Sequence, residues 1–178
     1  MAVVRGERPE RFPILHFVNS FETGGTERHF TNLLRKHDRD QFELHVACLR
    51  REGAFLGDIE ALGCPIVEYA VTSLRKPHAL WHQVRLARYL RQHRIQLVSS
   101  YGFYGNFFAI PAAWIARVPV IVASIRDIGA SWSPAQQRAQ RWSCRLADSV
   151  LVNADAVKKQ LAADGYRPDR IKVLRNGI

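Results

Sequence analysis

Three short stretches gather residues able to hold an anion or a hydroxyl. The first is NSFETGGTERHF, residues 19–30. Its paired glycines, Gly24 and Gly25, stand where an apolar run gives way to a helical pattern. Glycine lets the backbone approach a ligand closely and tolerates a positive φ. The N–H groups at the start of the following helix favour an anion. The second stretch, SSYGFYGNFF (99–108), offers Tyr101 and Tyr104 to stack on a sugar or base. Asn106 can donate to a hydroxyl, and Gly102 lies between the two tyrosines. The third, SIRDIGASWSP (124–134), offers the Arg126 fork to a phosphate and the Asp127 carboxylate to a hydroxyl. Each has a plainer reading: a flexible turn, aromatics packed over a sheet edge, an exposed ion pair. Gly24-Gly25 fits neither a G-x-G-x-x-G fingerprint nor a Walker A loop. No Ser-His-Asp or Cys-His set follows from spacing, and His16 and His45 read as core histidines inside strands.

These stretches share a site only if the fold places them at one edge. β-rich apolar runs at 14–18, 43–49, 66–69, 96–100, 118–124, 149–153 and 171–174 alternate with helical patterns at 26–36, 54–62, 78–93, 105–116, 134–147 and 155–164. Ser133-Pro134 reads as a helix start, Asp155 as the cap of a helix beginning at Ala156, and Gly63 and Gly165 as helix ends. Continuous apolar strands alternating with helices predict an α/β fold, a Rossmann-like doubly wound, mostly parallel seven-stranded sheet with helices on both faces. Ligands in such sheets bind beyond the carboxyl ends of the strands, where all three stretches fall.

Composition narrows the partners. The 178 residues suit one domain over 13–178 behind a loose leader at 1–12 that lacks the apolar core of a secretory signal. The apolar run 107–116, interrupted by Pro111, is too short to span a bilayer. Cys48, Cys64 and Cys144 show no ligand spacing and read as reduced packing thiols in a reducing, cytoplasmic compartment. The net charge is +10, and no Asp or Glu occurs from Tyr69 to Arg126. Such a field favours anionic partners. On the wheel of 78–93, Ala79, Leu80, Val84, Leu86, Ala87 and Leu90 form the arc expected to face the sheet. His78, Trp81, His82, Arg85, Arg88 and Tyr89 lie opposite, so the 76–94 helix is a candidate contact for an anionic membrane surface.

Taken in order, ILHFVNSFETGGTERH, HVACL, LVSSYGFYGN, VPVIVASIRD, ADSVLVNADAVKKQL and IKVLRNGI resemble the N-terminal half of glycosyltransferase family 4, the retaining transferases of the two-domain GT-B fold. The resemblance covers residue 14 to the end. It implies a nucleotide-sugar donor, a sugar or lipid-linked acceptor, no cofactor or required metal, and no nucleic-acid partner. It implies work in cell-surface polysaccharide or glycolipid synthesis, and the basic 76–94 helix adds the expectation of a cytoplasmic enzyme peripheral at the inner membrane face. Gly24, Gly25, Thr26 and Arg28 would face the interdomain cleft. Tyr101 falls where family members often carry a histidine near the donor sugar, and with Arg126 and Asp127 makes the expected catalytic group. Gly102, Tyr104, Asn106, Asn153 and Asn176 would bind substrate, although Ala154 follows Asn153 where the family often has serine. The family's donor-binding domain has no counterpart in residues 1–178, so these residues are expected to be an acceptor-side domain, inactive alone. Two rival readings stand: a basic nucleotide- or nucleic-acid-binding module, favoured by the pI of about 10.2, and half of a GT-B nucleotide-sugar epimerase.

Overall fold

A computed structural model describes residues 11–71, 77–126 and 132–175. Asp127 and Asn176, with most of the leader, lie outside the described residues. All seven expected strands form: β1 (Phe12–Val18), β2 (Phe42–Cys48), β3 (Ile66–Glu68), β4 (Leu97–Tyr101), β5 (Val120–Ile125), β6 (Ser149–Val152) and β7 (Ile171–Val173). They make one sheet in the order β3-β2-β1-β4-β5-β6-β7. Every pairing is parallel, so the expected mostly parallel sheet is wholly parallel. The helices are α1 (Gly25–Arg35), α2 (Leu56–Glu60), α3 (Pro77–Gln92), α4 (Gly102–Ala116), α5 (Pro134–Arg145) and α6 (Asp155–Ala163).

Alternation along the strands feeds two cores. Ile14 and Val18 of β1 join Phe30 and Leu34 of α1 and Ile59 of α2 on one face. Leu15 and Phe17 join α3, α4, α5 and α6 on the other. His16 (3% exposed) and His45 (1%) are core residues, as expected. His16 meets the Tyr101 hydroxyl at 3.2 Å and the His37 ring at 3.1 Å. His45 ties β2 to α3 through the Tyr89 hydroxyl at 2.8 Å. The thiols of Cys48 and Cys144 are pushed up to about 12 by burial, so both are inert packing groups.

Local signals explain three of the helix boundaries. Ser133 accepts from the Gln136 N–H while the Gln136 side chain accepts from the Ser133 N–H, a capping box ahead of Pro134. Gly63 and Gly165 take positive φ just past α2 and α6. Pro111 sits inside α4 and cannot donate to the Phe107 carbonyl. The Gln83 amide on α3 donates to the carbonyls of Phe107 (3.4 Å) and Phe108 (3.2 Å) instead.

Two expectations change. Asp155 does not cap α6. Ala154 is the extended residue at the N-cap, and the Asp155 carboxylate accepts from Arg175 at 2.7 Å. On α3 the buried stripe runs through Ala79, His82, Leu86, Ala87 and Leu90. A 3.6-residue turn centres that stripe on Ala79, Leu86 and Leu90. His82 then falls inside it, edge-on to the buried Tyr69 ring, whereas Leu80 and Val84 fall outside and are exposed. Tyr89 is half-buried, held by His45.

Candidate functional site

The strand order places the candidate site. β1 and β4 are neighbours, yet β1 continues into α1 on one face and β4 into α4 on the other. Their exits diverge and leave a crevice at the carboxyl edge, the place where open α/β sheets bind ligands.

The β1 exit is templated by the β2 exit. Backbone bonds join Arg50 N–H to the Asn19 carbonyl (2.9 Å), Phe21 N–H to the Glu52 carbonyl (2.8 Å) and Phe55 N–H to the Phe21 carbonyl (2.9 Å). Gly53 makes this possible. Its φ is +123°, and a Cβ there would overlap the backbone of Phe21 and Glu22. Phe21 is buried, so the loop dives into the core before surfacing at Glu22. Gly24 then stands at the N-cap with φ −165°, extended backbone open to any residue, and no side chain caps α1. A Cβ on Gly24 would collide with the Glu27 carboxylate, which folds back over it. One on Gly25 would meet nothing within 4 Å. Neither glycine takes the positive φ anticipated from the sequence. What Gly25 preserves is open space before the first turn of α1. Thr26 is half-buried in that turn, and Arg28 is exposed.

The β4 exit differs from the expected loop. Gly102, at φ +71°, turns the chain from strand to helix in one residue, so α4 begins at once. The side chains that follow are fixed by helical geometry. Tyr104 is 49% exposed on the first turn and open to the edge. Asn106 is fully buried. It accepts from the Ser100 hydroxyl and donates to the Ser124 carbonyl at 3.2 Å, bracing α4 against β4 and β5. The expectation that it meets a ligand hydroxyl is therefore corrected. Tyr101 is corrected in the same way. Strand alternation turns its ring beneath α1, edge-on to Phe30 at 5.3 Å, with its hydroxyl on His16. Burial raises its phenol above the usual range, with Ser99 and Arg126 pulling the other way. A neutral, inward phenol positions its neighbours and does not itself face the crevice.

Arg126 follows β5 on the α1 side of the sheet. It is half-buried and within electrostatic reach of Tyr101 and of His29 on α1. Burial, then Arg126, hold the His29 imidazole below its ordinary value. His29 lies one helical turn beyond Gly25, on the same face of α1. Only that i, i+4 spacing marks it in the sequence. Asn153, after β6, is half-buried, and its Oδ1 is shielded from water with no hydrogen-bond partner among the described residues. A buried acceptor without a donor is costly. Its position at a strand's carboxyl end suits a ligand donor. The edge thus gathers an uncapped helix terminus, a guanidinium, a neutral imidazole, an open tyrosine and an unpaired amide oxygen. That set can bind a phosphate and sugar hydroxyls.

The family model for Glycosyltransferase Family 4 matches residues 23–178. Among solved structures, HepE from Anabaena in complex with UDP shares 22% identity at a TM-score of 0.78, over 94% of this chain and 44% of that one. The lipopolysaccharide outer core galactosyltransferase WaaB, in its apo form, shares 14% identity at 0.69, over 94% of this chain and 46% of that one. UDP-GlcNAc 2-epimerase from Neisseria meningitidis, bound to UDP-GlcNAc, shares 12% at 0.66, over 93% and 47%. At these identities the likeness is one of fold, and the chain spans less than half the length of each of these proteins. No curated protein matches the sequence closely enough to compare.

Proposed function

Because the chain belongs to Glycosyltransferase Family 4, we propose that it forms the acceptor-side half of an enzyme moving a hexose from a nucleotide sugar to an acceptor with retention of configuration. The observation that carries this reading is the start of α1, which no side chain caps, with open space beside Gly25 and with Arg126 within electrostatic reach of His29 one turn further on. As the sugar–phosphate bond breaks, negative charge grows on the departing diphosphate. Fixed N–H groups and a guanidinium aimed at that charge lower the barrier without reorganising. Asn153 Oδ1 and Tyr104 would orient sugar hydroxyls. A second domain, holding most of the nucleotide, would complete the site, and no metal is required. Unpaired thiols suit a cytoplasmic setting, and a lipid-linked acceptor of surface polysaccharide or glycolipid synthesis suits the basic surface.

The test compares the 178-residue chain with a longer polypeptide joining it to a donor-binding domain, each given nucleotide sugars and glycolipid acceptors. Transfer is expected from the longer protein and none from the chain alone. Gly25→Val in the longer protein should cut transfer at least tenfold, a loss of about 1.4 kcal/mol of barrier lowering or more. It should leave the melting temperature nearly unchanged, since the new side chain meets open space. Turnover by the chain alone, or full activity in a folded Gly25→Val variant, sinks the reading. Epimerisation of the donor without transfer would establish the epimerase alternative, whose fold is shared.

A further inference from the structure

α3 carries an apolar patch that the fold leaves uncovered. Leu80 is 62% exposed, Trp81 58% and Val84 39%. At i, i+1 and i+4 they lie together just off the buried stripe, and with Pro77, Arg85 and Arg88 they line one shallow groove. A solvent-facing indole and two aliphatic chains on a helix whose other side is packed serve nothing in the core. The helices that carry and flank them hold charge of one sign. α3, α4 and α5 contain no Asp or Glu, while α3 alone holds Arg85, Arg88 and Arg91. Arg85 is already engaged, lying 4.9 Å over the Tyr69 ring and donating to the Glu68 carbonyl at 3.1 Å. Arg88 is exposed beside the patch.

We propose that this face of α3 docks on an anionic lipid bilayer, with Trp81, Leu80 and Val84 entering the headgroup boundary and Arg88 meeting lipid phosphates. Aromatic and aliphatic side chains flanked by arginines, with no carboxylate among them, match the chemistry of that boundary. A soluble protein partner would normally be met by charges of both signs. The placement is also apt. α3 starts at the carboxyl edge of the sheet, as every helix following a parallel strand does, so a docked bilayer would lie near the crevice. The proposal deepens the reading above by naming where a lipid-linked acceptor would be met. Vesicle binding is scored without any transfer, so the two can fail separately.

The experiment is co-sedimentation of the 178-residue chain with phosphatidylcholine vesicles, with and without phosphatidylglycerol. Binding is expected only with the anionic lipid and should be released by moderate salt. Arg88→Glu should weaken binding at least about fivefold, the effect of one interfacial charge or more. Leu80→Ser with Trp81→Ser should weaken it about tenfold or more. Trp142→Ser, which removes an equally exposed indole from α5 (53% exposed), should leave binding unchanged. Absence of anionic-vesicle binding overturns the proposal, as does equal loss in the Trp142 variant. A concentration-dependent dimer abolished by the Leu80/Trp81 change, with no vesicle binding, would also overturn it and assign the patch to protein contact.

Discussion

At the scale of single residues, the direction of a side chain decides more than its identity. Tyr101 and Asn106 have the chemistry of ligand-binding groups, and both are consumed inside the fold. The sequence stretch around them was correctly placed at a strand's carboxyl end. Direction was hidden because alternation at the last residue of a strand depends on where the strand stops, and β4 ends one residue later than its apolar pattern indicates. Asn153 is the opposite case, an amide whose oxygen has no partner among the described residues. The inward network has a measurable consequence. Burial, then His37, lower His16 to about 3. An unfolded chain protonates this imidazole near 6.5 while the native chain refuses the proton. Stability is therefore whole above the unfolded value and falls as pH drops from about 6.5 towards 3, at up to about 1.4 kcal/mol per pH unit. Denaturation at pH 7 and pH 5 should show this loss. In His16→Gln the slope should be shallower by that one group's share, whatever the variant's stability at pH 7. An unchanged slope would mean that His16 is not the group responsible.

At the scale of elements, existence was legible and facing was not. All seven strands and six helices were foreseeable because apolar β-rich runs and 3.6-residue patterns alternate without ambiguity. The face of α3 is hidden in the sequence because Leu80 and Val84 read as core by composition and yet are exposed. The true stripe admits His82, whose burial depends on Tyr69 from the distant end of β3. The templating of the β1 exit by Gly53 was also invisible, since it joins loops some thirty residues apart. Gly53→Ala should therefore destabilise the protein by about 3 kcal/mol or more, because it combines a strained φ with a backbone collision. That corresponds to a fall of about 6–12 °C in melting temperature at this chain length. Gly63→Ala, at φ +67° with open space around it, should cost only about 1–2 kcal/mol. Equal effects at the two positions would show that the loop contact does not set the cost.

At the scale of the molecule, the sheet runs outward in both directions from its β1–β4 junction. Its edges are β3 and β7, strands of three residues each, with β4 covered on both sides. Amide exchange should be slowest in β1 and β4 and fastest in β3 and β7. An evenly protected sheet would contradict this ordering. The same junction has a further meaning. Everything on the β1 side of it comes from the strands before residue 69, and everything on the β4 side from those after residue 96. Two consecutive stretches of chain thus meet along one line, and the crevice lies at the end of that line. Neither stretch owns the site. What keeps them in register is the packing they share, since Leu15 and Phe17 of the first stretch are buried among Phe108 and Ile110 of the second and Tyr101 of the second lies among Ile14 and Phe30 of the first, so a change that loosens this common seam would separate the groups that must converge before it disturbed any of them directly.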